Sequence, residues 1–198
     1  MSSLAQHILT NAGQLPEGGV CSPKDFLHLA SREAVDQTFT RLVKGNKLLR
    51  VGRGLYTLPL QGRFGPRPPS PERLIAALTK KTGETVVTHG AAAANRLGLT
   101  TQVPVREIFL TSGRSRALRL GSRVLEIKHA PPWQLLFGDS SEGALLRALA
   151  WLGPKQAEMV MAQAYKIIPA KEWKAIAAVR SELPSWLART VSRLEQHA

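Results

Sequence analysis

The chain has 198 residues, enough for one large domain or two small ones, and its 43% hydrophobic content supports a buried core. Twenty-seven Lys and Arg against 14 Asp and Glu leave a net charge of +13, which points to a polyanion or an acidic partner and leaves few carboxylates for a metal-dependent nuclease. The single cysteine, Cys21, excludes an internal disulfide and a metal site built on paired cysteines.

The charge is unevenly placed. Residues 1–60 carry seven basic and four acidic side chains, residues 61–130 twelve and four, and residues 131–198 eight and six. No apolar run approaches the roughly 18 residues of a membrane span, and the first residues lack the pattern of a signal peptide. A cytoplasmic protein with no membrane partner is expected.

In chain order, Leu4, Ala5, Ile8, Leu9 and Ala12 form an apolar stripe at helical spacing. A turn-rich connection over 15–19 follows. Ser22, Pro23 and Asp25 then predict a capped short helix ending near Ala30. Ser31 caps a longer helix in which Val35, Phe39, Leu42 and Val43 form one buried stripe. The opposite face carries Glu33, Gln37, Thr40, Arg41 and Lys44, and Gly45-Asn46 stops the helix. Residues 48–51 and 55–58 are short apolar and β-branched runs around Gly52-Arg53-Gly54, which predicts a hairpin with Arg53 at its tip. This order is that of a winged helix-turn-helix.

The longer helix is then the one that enters the major groove. Gln37 suits adenine and Arg41 suits guanine. Arg32, Lys44, Lys47 and Arg53 suit phosphates, and Thr40 and Arg50 complete the expected DNA-binding set. The alternative is a helical domain capped by a hairpin, with its charges merely solvated. Five prolines and two glycines within 59–71 predict a stiff linker or boundary. The expected division is a winged helix-turn-helix over 1–60, a linker over 61–71 and an α+β domain over 72–198.

In that second part, residues 71–82 predict a helix, 85–88 and 105–111 strands, and the alanine-rich 90–97 a tightly packed helix. Residues 117–120 and 123–128 predict a hairpin. Arg114, Arg116, Arg119 and Arg123 make it a possible second basic surface, or else a solvated sheet face. From Asp139 the pattern is helical, with Pro154, Pro169 and Pro184 at helix starts. Trp133, Trp151, Trp173 and Trp186 are core residues or a docking surface. The five histidines form no metal-ligand pair, and there is no Walker loop or nucleophile elbow. No catalytic residue, metal, cofactor or enzymatic activity is expected. The fold class expected is α+β.

The run SREAVDQTFTRLVKGNKLLRVGRGLYTLP resembles the N-terminal domain of the AbiEi-like antitoxins of type IV toxin–antitoxin systems. The run GAAAANRLGLTTQVPVREIFLTSGRSRALRLGSRVLEIKHAPP resembles that family's second domain. The resemblance spans roughly residues 20–150. It implies an autorepressor that binds repeated sites in its own promoter, with Arg32, Gln37, Arg41 and Arg53 at DNA-facing positions. It also implies an antitoxin that counteracts a nucleotidyltransferase-type toxin, with no stable complex between the two. The competing expectation is an RNA- or toxin-binding protein that uses the winged helix only as a scaffold.

Overall fold

The computed structural model describes residues 3–195 of the chain. Its architecture is α+β, with helices and three separate sheets. The chain divides into two compact units. One takes in residues up to Glu84 together with Arg116–Glu126. The other takes in Thr85–Ser115 and the chain from Ile127 onward. The first unit carries fifteen Lys and Arg against seven Asp and Glu, a net of +8; the second carries twelve against seven, a net of +5.

The first unit opens with α1 (Leu4–Gln14), capped by the Ser3 hydroxyl, which accepts from the Gln6 N–H at 3.3 Å. It buries Ile8 and Ala12. The expected short helix over 22–30 is instead one 3-10 turn, Pro23–Phe26. Its start has the anticipated chemistry: the Ser22 N–H donates to Asp25 Oδ2 at 2.8 Å and the Ser22 hydroxyl to Oδ1 at 3.1 Å. What fails is the continuation. Phe26 is buried, but Leu27 and Leu29 are each 43% exposed, so no apolar face holds a further turn in place.

The longer helix forms as expected: α2 (Arg32–Lys44) starts at Ser31, whose hydroxyl accepts from the Ala34 N–H at 3.3 Å. Val35, Phe39 and Leu42 are buried. Phe39 packs between Phe26 and Tyr56, with ring centroids at 5.7 and 4.6 Å. Complete burial of one such ring contributes about 2–3 kcal/mol. Asn46 turns the chain after α2, with φ at 54°, while Gly45 keeps a negative φ.

A three-stranded antiparallel sheet follows, ordered β1 (Val20–Cys21), β3 (Leu55–Thr57), β2 (Leu49–Gly52). Arg50 lies opposite Tyr56 and Leu49 opposite Thr57, with a bulge between Arg50 and Gly52. Buried Thr57 donates its hydroxyl to the Gly19 carbonyl at 2.8 Å. Cys21 is buried, and burial foremost, then the charge of Asp25, pushes its thiol up to about 11. It is therefore no nucleophile at neutral pH.

The expected linker over 61–71 is not an open spacer. It holds an antiparallel ribbon, β4 (Leu60–Gly62) and β5 (Gly65–Arg67). Proline is tolerated there because a two-stranded ribbon has only edges. Helix α3 (Pro71–Thr82) starts at Ser70, ends on left-handed Gly83, and is tied to the 3-10 turn by Lys81 Nζ and Asp25 Oδ2 at 2.6 Å. The tip of a hairpin from β8 (Arg116–Leu120) and β9 (Arg123–His129) also belongs to this unit. A side chain at Gly52 would meet Leu118 at 3.0 Å, which shows how tightly β8 lies against β2.

In the second unit, β6 (Val86–Thr88) pairs antiparallel with β7 (Glu107–Thr111). The alanine-rich helix α4 (Gly90–Arg96) packs on α5 (Ser141–Ile167); a Cβ at Gly90 would sit 2.1 Å from the Arg147 carbonyl oxygen. Helix α5 is interrupted at Gly153, where φ reaches 77°, and resumes at Pro154. Helices α6 (Ala170–Ala178) and α7 (Ser185–Glu195) begin just after Pro169 and Pro184, as expected, and close a core that includes Trp173, Ile176 and Leu187. Arg147 is 1% exposed within this core. It donates to the carbonyls of Gly138 at 2.8 Å and Gln134 at 3.4 Å, and to Asp139 Oδ1 at 3.3 Å. Burial lowers its guanidinium to about 10 against the opposing pull of Asp139.

Candidate nucleic-acid interface

The outward face of α2 follows from its inward one. With Val35, Phe39 and Leu42 locked into the core, Arg32, Glu33, Gln37, Thr40, Arg41 and Lys44 are all exposed. Glu33, Gln37 and Arg41 form a straight ladder at i, i+4 and i+8. Arg41 Nη2 donates to Gln37 Oε1 at 3.4 Å, and Gln37 Nε2 donates to Glu33 Oε1 at 3.4 Å. The two side chains expected to read bases thus stand side by side, held by weak contacts that a base edge can replace. Thr40 is exposed and donates its hydroxyl proton to the Asp36 carbonyl at 2.9 Å, so toward a further partner its hydroxyl can only accept. Arg32, Glu33, Asp36, Gln37, Thr40 and Arg41 line one shallow concavity on this single helix, an open face and not a cleft.

Arg32 differs from the other expected cations. Its Nε lies 2.7 Å from Asp36 Oδ2, so much of its charge is already answered. Lys44 at the last position of α2, Lys47 just beyond it, and Arg50 and Arg53 along the β2–β3 hairpin are exposed. Arg53 stands at the tip, where the next residue, Gly54, has a φ of 67° that side chains disfavour.

The four arginines of the expected second basic surface do not act alike. Arg114 belongs to the second unit, whereas Arg116, Arg119 and Arg123 belong to the first. Arg116 is half-buried and pairs with Glu84 at 2.6 Å. Arg119 and Arg123 are exposed, because Leu118, Leu120 and Leu125 alternate inward. Sequence reasoning also missed Phe64, 98% exposed at the tip of the β4–β5 ribbon. The signal was Gly62-Arg63-Phe64-Gly65, which repeats the glycine-flanked arginine of the first hairpin.

In the second unit, His89 caps α4, its Nδ1 accepting from the Ala91 N–H at 3.2 Å. Burial first, and Lys128 second, hold its pKa below the usual 6.5. Of the four tryptophans, Trp173 is buried, Trp133 and Trp186 are partly buried against the same core, and Trp151 is the most open, at 36%. Among the described residues, no group of three or more His, Cys, Asp or Glu side chains could hold a metal ion, and no helix is long and apolar enough to cross a membrane.

Residues 7–175 match the model of DUF6088, described as a family of unknown function. No curated protein matches the chain. Among solved structures, the crystal structure of the Rv2827c protein from Mycobacterium tuberculosis shares the fold. The TM-score is 0.54 and the identity 14%, over 98% of this chain and 76% of that one.

Proposed function

We propose that this chain, which belongs to the DUF6088 family, is a winged helix-turn-helix protein that binds double-stranded DNA. In this reading α2 enters the major groove and the β2–β3 hairpin is the wing. The observation that carries it is the ladder of Gln37 and Arg41 on the solvent face of α2, in one compact unit with the Arg53-tipped hairpin. The net charge of +8 on that unit supports it. No catalytic step and no cofactor enter this function.

The sequence resemblance extends the proposal. The protein represses its own promoter at repeated sites and serves as the antitoxin of a type IV system in the cytoplasm. It opposes a nucleotidyltransferase-type toxin without forming a lasting complex with it. A gel-shift series on DNA from upstream of the gene tests the first part. Gln37→Ala or Arg41→Ala should cost about 1–3 kcal/mol at one base position and relax selectivity there. Equal binding by wild type and Arg41→Ala across all single-base variants rejects the base-reading role. Growth rescue on co-expression with a neighbouring nucleotidyltransferase gene tests the second part.

A further inference from the structure

The β4–β5 ribbon is unexplained by the helix and the first wing. It starts three residues after β3 ends, with only Leu58 and Pro59 between, and it lies in the same compact unit. Its register is Leu60↔Arg67, Gln61↔Pro66 and Gly62↔Gly65, so Arg63 and Phe64 form the turn. The last cross-strand pair is two glycines, and Gly65 takes a φ of 104°. The ribbon therefore narrows to bare backbone just below its tip.

On that tip the Phe64 ring is 98% exposed. The Arg63 guanidinium carbon lies 5.7 Å from its ring centroid, and Arg63 and Arg67 are both exposed. A phenylalanine left wholly in water gains about 2–3 kcal/mol when a partner covers it. A single ring on a narrow basic ribbon, with no apolar neighbours around it, is too small for a protein interface core. It matches the apolar wedges that enter the minor groove, roughly 6 Å wide, and part a base step while nearby cations hold the backbone.

We propose that Phe64 is a wedge: the β4–β5 ribbon enters the minor groove beside the site read by α2, Phe64 stacks into a base step, and Arg63 and Arg67 hold the flanking phosphates. This rests on the reading of the first unit as a duplex-DNA binder. It adds a bend in the DNA and a preference for easily unstacked pyrimidine–purine steps at positions α2 does not touch.

The test uses the full chain and duplexes from upstream of its gene, with 2-aminopurine at successive pyrimidine–purine steps and a dye pair at the ends. Wild type should raise the 2-aminopurine fluorescence at one step and shorten the end-to-end distance. Phe64→Ala should abolish both changes and weaken binding roughly five- to 150-fold, the range of one base–aromatic stack. Phe64→Leu, still an apolar wedge, should keep most of the bend. An unchanged thermal melt of Phe64→Ala is expected, since the ring touches solvent. If Phe64→Ala binds and bends as wild type while Arg53→Ala binds weakly, the wedge is overturned and the winged-helix reading stands. If wild type binds no duplex, both fall. Phe64-dependent sedimentation with anionic vesicles, alongside unaltered DNA binding by Phe64→Ala, overturns the wedge in favour of a membrane contact.

Discussion

The salt dependence of DNA binding separates cations that meet phosphates from those already answered within the protein. Lys44, Lys47, Arg50 and Arg53 are exposed, whereas Arg32 sits 2.7 Å from Asp36. Each phosphate neutralised contributes about −0.9 to the slope of log K against log[salt]. These four contacts alone contribute about −3.6 to the slope, a fall in affinity of about 150-fold between 50 and 200 mM salt, and Arg63 and Arg67 on the proposed wedge add about −1.8. Arg53→Ala should lower the magnitude of the slope by about 0.9. The ratio of wild-type to variant affinity then narrows about 3.5-fold over the same range. Removing Arg32 together with Asp36 should leave the slope unchanged, because the pair carries no net charge. Asp36→Asn alone should steepen it by up to about 0.9 and tighten binding, because it frees the guanidinium. None of these variants should unfold the protein, since an exposed i,i+4 pair contributes under about 0.5 kcal/mol. Fluorescence anisotropy titrations at four or more salt concentrations measure the slopes. An unchanged slope for Arg53→Ala refutes the wing assignment, and an unchanged slope for Asp36→Asn refutes the masking of Arg32.

Two further predictions concern the second unit. The folded His89 prefers to be neutral and its unfolded pKa is higher, so the unfolded state takes the proton first. The stability contributed by His89 is therefore full above about pH 6.5 and falls as the pH drops below that value. In urea titrations His89→Asn, which keeps a cap acceptor, should lose less stability than wild type between pH 7 and roughly pH 5; equal losses refute the assignment. Gly90→Ala must move backbone, because its Cβ would stand 2.1 Å from the Arg147 carbonyl oxygen and 2.7 Å from Trp151 Cβ. A loss of about 3 kcal/mol or more is expected by chemical denaturation, and a wild-type midpoint refutes that packing.

Where the sequence was legible, the signal was local. Val35, Phe39 and Leu42 recur at the helical period, Ser31 sits where a cap belongs, and Gly54 marks a turn that needs a positive φ. Pro169 and Pro184 mark helix starts for the same kind of reason. What was not legible depends on distant partners. Nothing local assigns Leu118 to a place against Gly52, and so the 116–126 tip falls in the first unit and not with the helices around it in sequence. The ribbon over 60–67 was hidden because proline and glycine usually punctuate structure, whereas a strand with a free edge accommodates Pro66. Arg147 lies in an apolar run, and the carbonyls that receive it belong to residue 134, in a 3-10 turn over Pro132–Leu135, and residue 138 just beyond it, where no periodic signal marks them. The Arg32–Asp36 pair is different: its i,i+4 spacing was in plain view, and a helical wheel that sorts residues only by face passes over it.

That pair bears on how labour divides in the proposed complex. The face of α2 that meets bases carries Glu33 and Asp36 among its cations, so the helix itself supplies little net attraction for phosphates. Most of the excess charge of the unit lies elsewhere, on the hairpin with Arg50 and Arg53, the ribbon with Arg63 and Arg67, the tip with Arg119, and α3 with Arg73, Lys80 and Lys81. Affinity should then come from outside α2 and selectivity from α2 itself. A carboxylate among base-reading groups also rejects by repulsion any register in which it faces a phosphate, while accepting from a cytosine amino group in the right one. Glu33→Gln should accordingly tighten binding to unrelated DNA more than to the promoter, shrinking the ratio between the two. A ratio that stays constant would place Glu33 away from the duplex and turn the α2 face out of the groove.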